Sequence, residues 1–128
     1  MKNPADYGAL VVDDDAAIRR LVKMVLDREG YRVEVAADGV EAVLKLGLGE
    51  FDVIILDLMM PLLDGFSFIN TFAENDPTFL RKVIVTSAAS PAVMKERLRD
   101  QPFSILPKPF DLTDLVDHVR TCLEAQEQ

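Results

Sequence analysis

The sequence predicts an α/β fold: a single doubly wound domain around a parallel five-stranded sheet. Three observations carry this. Short apolar runs alternate, five times over, with stretches whose apolar residues recur at helical spacing. The second run, Arg32–Ala36 (RVEVA), alternates polar and apolar residues, whereas 9–12, 53–56 (VIIL) and 83–85 are apolar on both faces, as one edge strand among buried ones requires. Asp13 and Asp14 follow the first run, Asp57 the third, Thr86 and Ser87 the fourth, and Lys108 comes just after the fifth.

Taken in order, strand one occupies 9–12. Ile18, Leu21, Val22, Val25 and Leu26 then follow the spacing of one helix face, with Asp15 placed to cap that helix and Gly30 just past its end. After RVEVA, Asp38 is an N-cap with Glu41 three residues on, and Val40, Val43 and Leu44 are expected to form the buried stripe of the second helix. Strand three, 53–56, leads through a Pro- and Gly-containing loop to a third helix marked by Phe66, Ile69 and Ala73, its apolar face widened by Phe68 and Phe72. Strand four, 83–85, precedes Ser90 and Pro91, the N-cap and first residue of a fourth helix. Residues 104–106 form the last strand, and Asp111 caps a helix carrying Leu112, Leu115, Val116, Val119 and Leu123. Strict alternation means parallel strands joined by right-handed crossovers. In the flavodoxin-like order 2-1-3-4-5 the second strand lies at an edge, which matches RVEVA.

The chain has 128 residues, and 49% of them are hydrophobic, enough for one domain with a real core. No linker, repeat or low-complexity stretch divides it. We therefore expect one domain over 1–128, with its core at about 8–125 and no output domain visible. No apolar run is long enough for a bilayer, and MKNPADYG lacks the apolar core of a signal peptide, so a cytoplasmic protein without membrane contact is expected. The lone Cys122, placed on the last helix, agrees with a reducing compartment. A net charge of −8 argues against direct nucleic-acid binding, which needs clustered Lys and Arg.

Such sheets bind ligands beyond the carboxyl ends of their strands. Asp13 and Asp14 follow strand one, Asp57 ends strand three, Thr86 and Ser87 end strand four, and Lys108 follows strand five. Three carboxylates converging at one edge repel unless a cation joins them. Hard oxygen donors without His or Cys point to Mg²⁺, with Mn²⁺ as the substitute.

VVDDD, ILDLMMPLLDG, VTSA and LPKPF, in this order and at these spacings, resemble the receiver domain of bacterial two-component response regulators over essentially the whole chain. The resemblance implies a phosphoacceptor in a signalling pathway rather than an enzyme acting on an outside substrate. Asp57 would take a phosphoryl group from a histidine kinase or histidine phosphotransfer protein, forming an aspartyl phosphate. Asp14 would bind Mg²⁺ directly and Asp13 largely through water, with the Met59 backbone carbonyl completing the protein's share. Lys108 would pair with Asp57 and then with the phosphoryl group. The Ser87 hydroxyl and the Ala88 amide would hydrogen-bond phosphoryl oxygens, with Thr86 pointing the other way. The Lys108–Pro109 bond resembles those that are cis in the family, which aims the lysine. Pro61, Asp64 and Gly65 would shape the loop after the acceptor. Phosphorylation would shift a conformational equilibrium and so alter affinity for a downstream output protein or domain, or drive dimerisation.

The chain departs from the family pattern in three places. Ile105 stands where an aromatic switch residue is usual, and Phe103, two residues earlier, is expected on the same side of the strand as a partial substitute. Residues 89–101 lack the usual Gly-Ala, so the fourth helix is expected to be short or displaced. Leu62, beside Met59 and Leu63, makes an apolar rim suited to docking. Other residues read more plainly: His118 as exposed, and Phe66, Phe68 and Phe72 as core.

Three rival functions fit parts of the sequence. A haloacid-dehalogenase-like phosphohydrolase would use Asp13 in a D-x-D with Asp15, but leaves Asp57 and LPKPF unexplained. A flavodoxin-like flavin binder would have to seat a phosphate against three aspartates. A degenerate receiver would act as a phosphorylation-independent binding module, which Ile105 favours and the intact Asp57, Asp14, Ser87 and Lys108 oppose.

Overall fold

The computed structural model describes residues 3–59, 65–88, 90–98 and 101–127. β1 (Gly8–Val12), β2 (Arg32–Ala36), β3 (Val53–Asp57), β4 (Val83–Ser87) and β5 (Ser104–Pro107) form one sheet in the order β2-β1-β3-β4-β5, every pair parallel. The four crossovers carry α1 (Ala16–Arg28), α2 (Gly39–Leu48), α3 (Gly65–Asn75) and α4 (Pro91–Arg97), α5 (Leu112–Gln126) follows the last strand, and 3-10 turns lie at Pro4–Asp6 and Pro77–Lys82. The predicted fold class and strand order are both present. β1, β3 and β4 are buried along their whole length, while β2, at the edge, exposes Arg32 and Glu34.

Each sheet face carries its own core. On one, Leu10, Ile54, Leu56 and Val85 pack with Ala42 of α2, Ile69 of α3 and Met94 of α4. On the other, Val11, Ile55 and Ile84 pack with Val22 and Leu26 of α1 and with Leu115, Val119 and Cys122 of α5. Two-residue alternation along each strand feeds both layers, and parallel pairing sets the carboxyl ends of β1, β3 and β4 side by side. Burial pushes the Cys122 thiol up to about 11, so it stays a neutral core group.

Helix ends follow the local chemistry. Asp15 caps α1, accepting from Ala17 N at 2.9 Å and Ile18 N at 3.2 Å. Gly30 ends the turn after α1 with φ +97°, a conformation in which an added Cβ would also lie 3.0 Å from Pro4 Cβ. Ser90 Oγ accepts from Val93 N at 3.3 Å at the start of α4, which is short as expected, at 7 residues. Asp15→Ala should lower unfolding free energy by about 1 kcal/mol in a urea titration while leaving the carboxyl-edge carboxylates in place. An unchanged midpoint would rule out the capping role.

Several sequence expectations need correction. Val40, Val43 and Leu44 are 57%, 43% and 62% exposed, and α2 instead buries Gly39 and Ala42. Small residues let the helix lie close on the sheet, and the Lys45–Glu34 ion pair at 3.4 Å ties another flank of α2 to β2. Leu21 of α1 is likewise exposed, because only Val22 and Leu26 meet the sheet fully. Asp38 Oδ1 does cap Glu41 N at 2.8 Å, but the Glu41 carboxylate reaches Ala37 N rather than that of Asp38. Asp111 stands at the N-cap of α5 without a side-chain cap bond, its carbonyl accepting from Leu115 N. His118 is half-buried, with Nδ1 2.9 Å from Ser104 Oγ. Phe103 precedes β5 and so escapes its alternation; it packs in the α1/α5 layer, whereas Ile105 packs in the opposite one. Phe103 therefore does not replace an aromatic at position 105. Phe72 packs against the core as expected, while the side chains of Phe66, Phe68 and Ala73 lie outside the described part of α3.

Candidate functional site

The sheet brings its acidic residues together at one edge. Oxygens of Asp13, Asp14 and Asp57 lie within 4.8 Å of one another. Asp13 and Asp57 are buried, at 3% and 4% exposure, and Asp14 is exposed. Lys108 Nζ bridges the two buried carboxylates, 2.9 Å from Asp13 Oδ2 and 3.1 Å from Asp57 Oδ2. The lysine follows β5, whose neighbour β4 holds it through Lys108 N donating to Ser87 O at 3.0 Å, and its peptide to Pro109 is cis.

Each buried carboxylate is also fixed by backbone. Met59 N donates to Asp57 Oδ1 at 3.0 Å, and Asp15 N to Asp13 Oδ1 at 2.9 Å. Asp57 at the last position of β3 pairs in register with Thr86 of β4, and Leu58 N bonds to Thr86 O at 3.4 Å. The sheet ladder thus sets the height of Asp57 relative to β4, beyond which the chain turns at Ala88.

Burial raises the pKa of Asp57 above its ordinary 3.8, against the lowering effects of the Met59 N–H and Lys108; the Asp13 charge adds to the rise. Burial pulls Lys108 down, but hydrogen bonds and charges from Asp13 and Asp57 outweigh it, so its pKa lies above 10.5. A carboxyl whose folded pKa is raised contributes stability that is present below its unfolded pKa and lost as pH rises through the folded value. Asp57→Asn should therefore raise the melting temperature of the metal-free protein at neutral pH, and the gain should vanish at about pH 4. A gain that is constant with pH would show that ionisation of Asp57 is not its source.

Among the expected site residues, Asp13, Asp14, Asp57 and Lys108 form one cluster. Ser87 is fully buried at the end of β4, and Ala88 and Met59 are exposed beside the edge. Gly65 opens α3, whereas Pro61, Leu62, Leu63 and Asp64 lie outside the described residues. Sequence reading missed Arg19, whose Nη1 donates to Asp13 O at 2.8 Å. One arginine among several on α1 gives no signal by itself that its side chain turns back to the β1–α1 loop. It missed also an apolar groove of about 350 Å³ beside Lys108, lined by Ile18, Leu21, Pro109, Phe110 and Leu112. The exposed Leu21 finds its place there.

The fold and this acidic edge define a receiver-type signalling domain. Residues 9–120 match the response regulator receiver domain, and the chain belongs to that family. It is 37% identical to the transcriptional regulatory protein TrcR of Mycobacterium tuberculosis, over 89% of this chain and 44% of that protein. It is 34% identical to ResD of Bacillus subtilis, over 93% of this chain and 49% of that protein. A sensor kinase, CckA of Brucella abortus, matches at 35% over 92% of this chain and 13% of its own length. The chain thus spans about half the length of the two regulators and a small part of the kinase. Among solved structures, the receiver domain of the Francisella response regulator 1452 superposes with a TM-score of 0.83 at 31% identity, covering 94% of this chain and 98% of that one. The chemotaxis response regulator CheY4 of Vibrio cholerae gives 0.81 at 31%, covering 91% and 98%.

Proposed function

We propose that the protein accepts a phosphoryl group on Asp57 from the phosphohistidine of a kinase or phosphotransfer partner, and that this switches its binding to an output protein or domain. The observation that carries the reading is the Lys108 ammonium, held between Asp57 Oδ2 and Asp13 Oδ2 in a cluster of three carboxylates. The donor set suits a hard divalent cation: all oxygen, no His or Cys, and more negative charge than one lysine neutralises. Asp13, Asp14, Asp57 and the Met59 carbonyl would hold Mg²⁺. When bound, it supplies charge neutralisation for the phosphoryl oxygens and alignment for in-line transfer.

The chain's own groups do the rest. Asp57, held by Met59 N at 3.0 Å, presents a fixed carboxylate oxygen as nucleophile. Lys108 travels from the carboxylate to the new phosphoryl oxygens, a short step for a flexible side chain. Ser87 and the Ala88 amide complete the cradle. Ile105 does no chemistry, so transfer proceeds without the usual aromatic at that position. The groove beside Lys108 supports approach of the phosphohistidine-bearing partner from the α1 side. Asp15 is engaged as the cap of α1, which speaks against its service as the second acid of a D-x-D hydrolase.

Incubation with acetyl phosphate and Mg²⁺, read by intact mass spectrometry, should give one phosphoryl adduct that EDTA prevents. No adduct, together with failure to bind beryllofluoride, would favour the phosphorylation-independent binding module.

A further inference from the structure

We infer that Arg19 is a positioning residue for the cation site, acting through the peptide that joins Asp13 to Asp14; this rests on the proposed Mg²⁺-dependent phosphoacceptor function. Asp13 is fixed at four atoms. Its N donates to Ala36 O at 3.1 Å, its Oδ1 accepts from Asp15 N at 2.9 Å, its Oδ2 from Lys108 at 2.9 Å, and its carbonyl oxygen from Arg19 Nη1 at 2.8 Å. Asp14 differs: it is exposed, and its carboxylate receives no hydrogen bond among the described residues. The backbone leading into Asp14 therefore sets the Cα–Cβ direction from which its carboxylate reaches the cluster.

The carbonyl of Asp13 lies outside the backbone ladder of the helix that follows. The α1 ladder begins at Asp15, whose carbonyl accepts from Arg19 N at 2.9 Å, so the helix supplies no donor to the carbonyl of Asp13. The Arg19 side chain supplies it. One residue thereby closes the first turn of α1 with its main chain and fixes the 13–14 peptide plane with its guanidinium. Rotation of that plane would swing Asp14 away from Asp13 and Asp57, since a peptide unit moves as a rigid body. Arg19 preorganises Asp14 as outer groups preorganise metal ligands generally.

The sign of the effect separates this role from plain electrostatics. Arg19 is a cation near a cation site, so by charge alone Arg19→Ala should tighten Mg²⁺ binding. As a positioning residue its loss should weaken binding, by about tenfold in Kd.

The test is isothermal titration of the metal-free protein with MgCl₂ for the parent, Arg19→Ala and Arg19→Lys, with acetyl phosphate phosphorylation followed against Mg²⁺ concentration. We expect Arg19→Ala to raise both the Mg²⁺ Kd and the Mg²⁺ concentration for half-maximal rate, with the rate at saturating Mg²⁺ close to that of the parent. Arg19→Lys, which keeps a donor of nearly the same reach, should recover part of the affinity. Circular dichroism melts without metal check folding; a general structural defect would lower the saturating rate as well. Equal or tighter Mg²⁺ binding by Arg19→Ala would overturn the inference. A parent protein that binds no Mg²⁺ would overturn the proposed function instead.

Discussion

Asp57→Asn is expected to abolish phosphoryl-adduct formation with acetyl phosphate, at any Mg²⁺ concentration, while the protein stays folded. The amide keeps the size of the carboxylate but loses the negative oxygen that attacks phosphorus. Its site is buried, at 4% exposure, and its neighbours Lys108 and Met59 hold whatever occupies it. Lys108 would still have Asp13 as a partner at 2.9 Å, so the substitution does not leave an orphaned buried cation. Intact mass spectrometry checks the loss, and circular dichroism checks the fold. A persistent adduct in Asp57→Asn that disappears in Asp13→Asn would move the nucleophile to β1 and favour a dehalogenase-like chemistry.

Lys108→Ala should act on both rate and stability. Without the ammonium the developing charge on the phosphoryl group loses a preorganised partner, and transfer from acetyl phosphate should slow by roughly 100-fold. Asp13 and Asp57 would then face each other without the cation that bridges them. Breaking a buried ion pair from one side costs about 3 kcal/mol, so the metal-free variant should unfold at clearly lower urea at neutral pH. Adding Asp57→Asn to it should return part of that loss, because one of the two carboxylates no longer ionises. A Lys108→Ala protein with parental stability and parental rate would show that the lysine only decorates the edge.

The parallel sheet and its order were legible because burial and periodicity agree along it. VIIL and VIVTS can serve only where both faces are covered, and RVEVA only at an edge. The four charged residues of the site were legible for the same reason: each stands at or just past the carboxyl end of a strand, and parallel strands place those ends together. Helix faces were less so. On α2, counting large apolar residues selected Val40, Val43 and Leu44, but contact with the sheet is made by Gly39 and Ala42, whose small size permits close approach. Phe103 was misplaced because alternation holds only inside a strand, and β5 begins at Ser104. His118 has a partner, Ser104, from another element, and Arg19 turns back onto a carbonyl, which periodicity along a helix does not encode.

The most direct test reduces the phosphorylated protein with borohydride, which converts an aspartyl phosphate to homoserine, and locates the converted residue by tandem mass spectrometry. Homoserine at position 57 alone, formed only with Mg²⁺ present, is the predicted result. Conversion at position 13, or none after stoichiometric phosphorylation, would contradict the assignment of Asp57 as the phosphoacceptor.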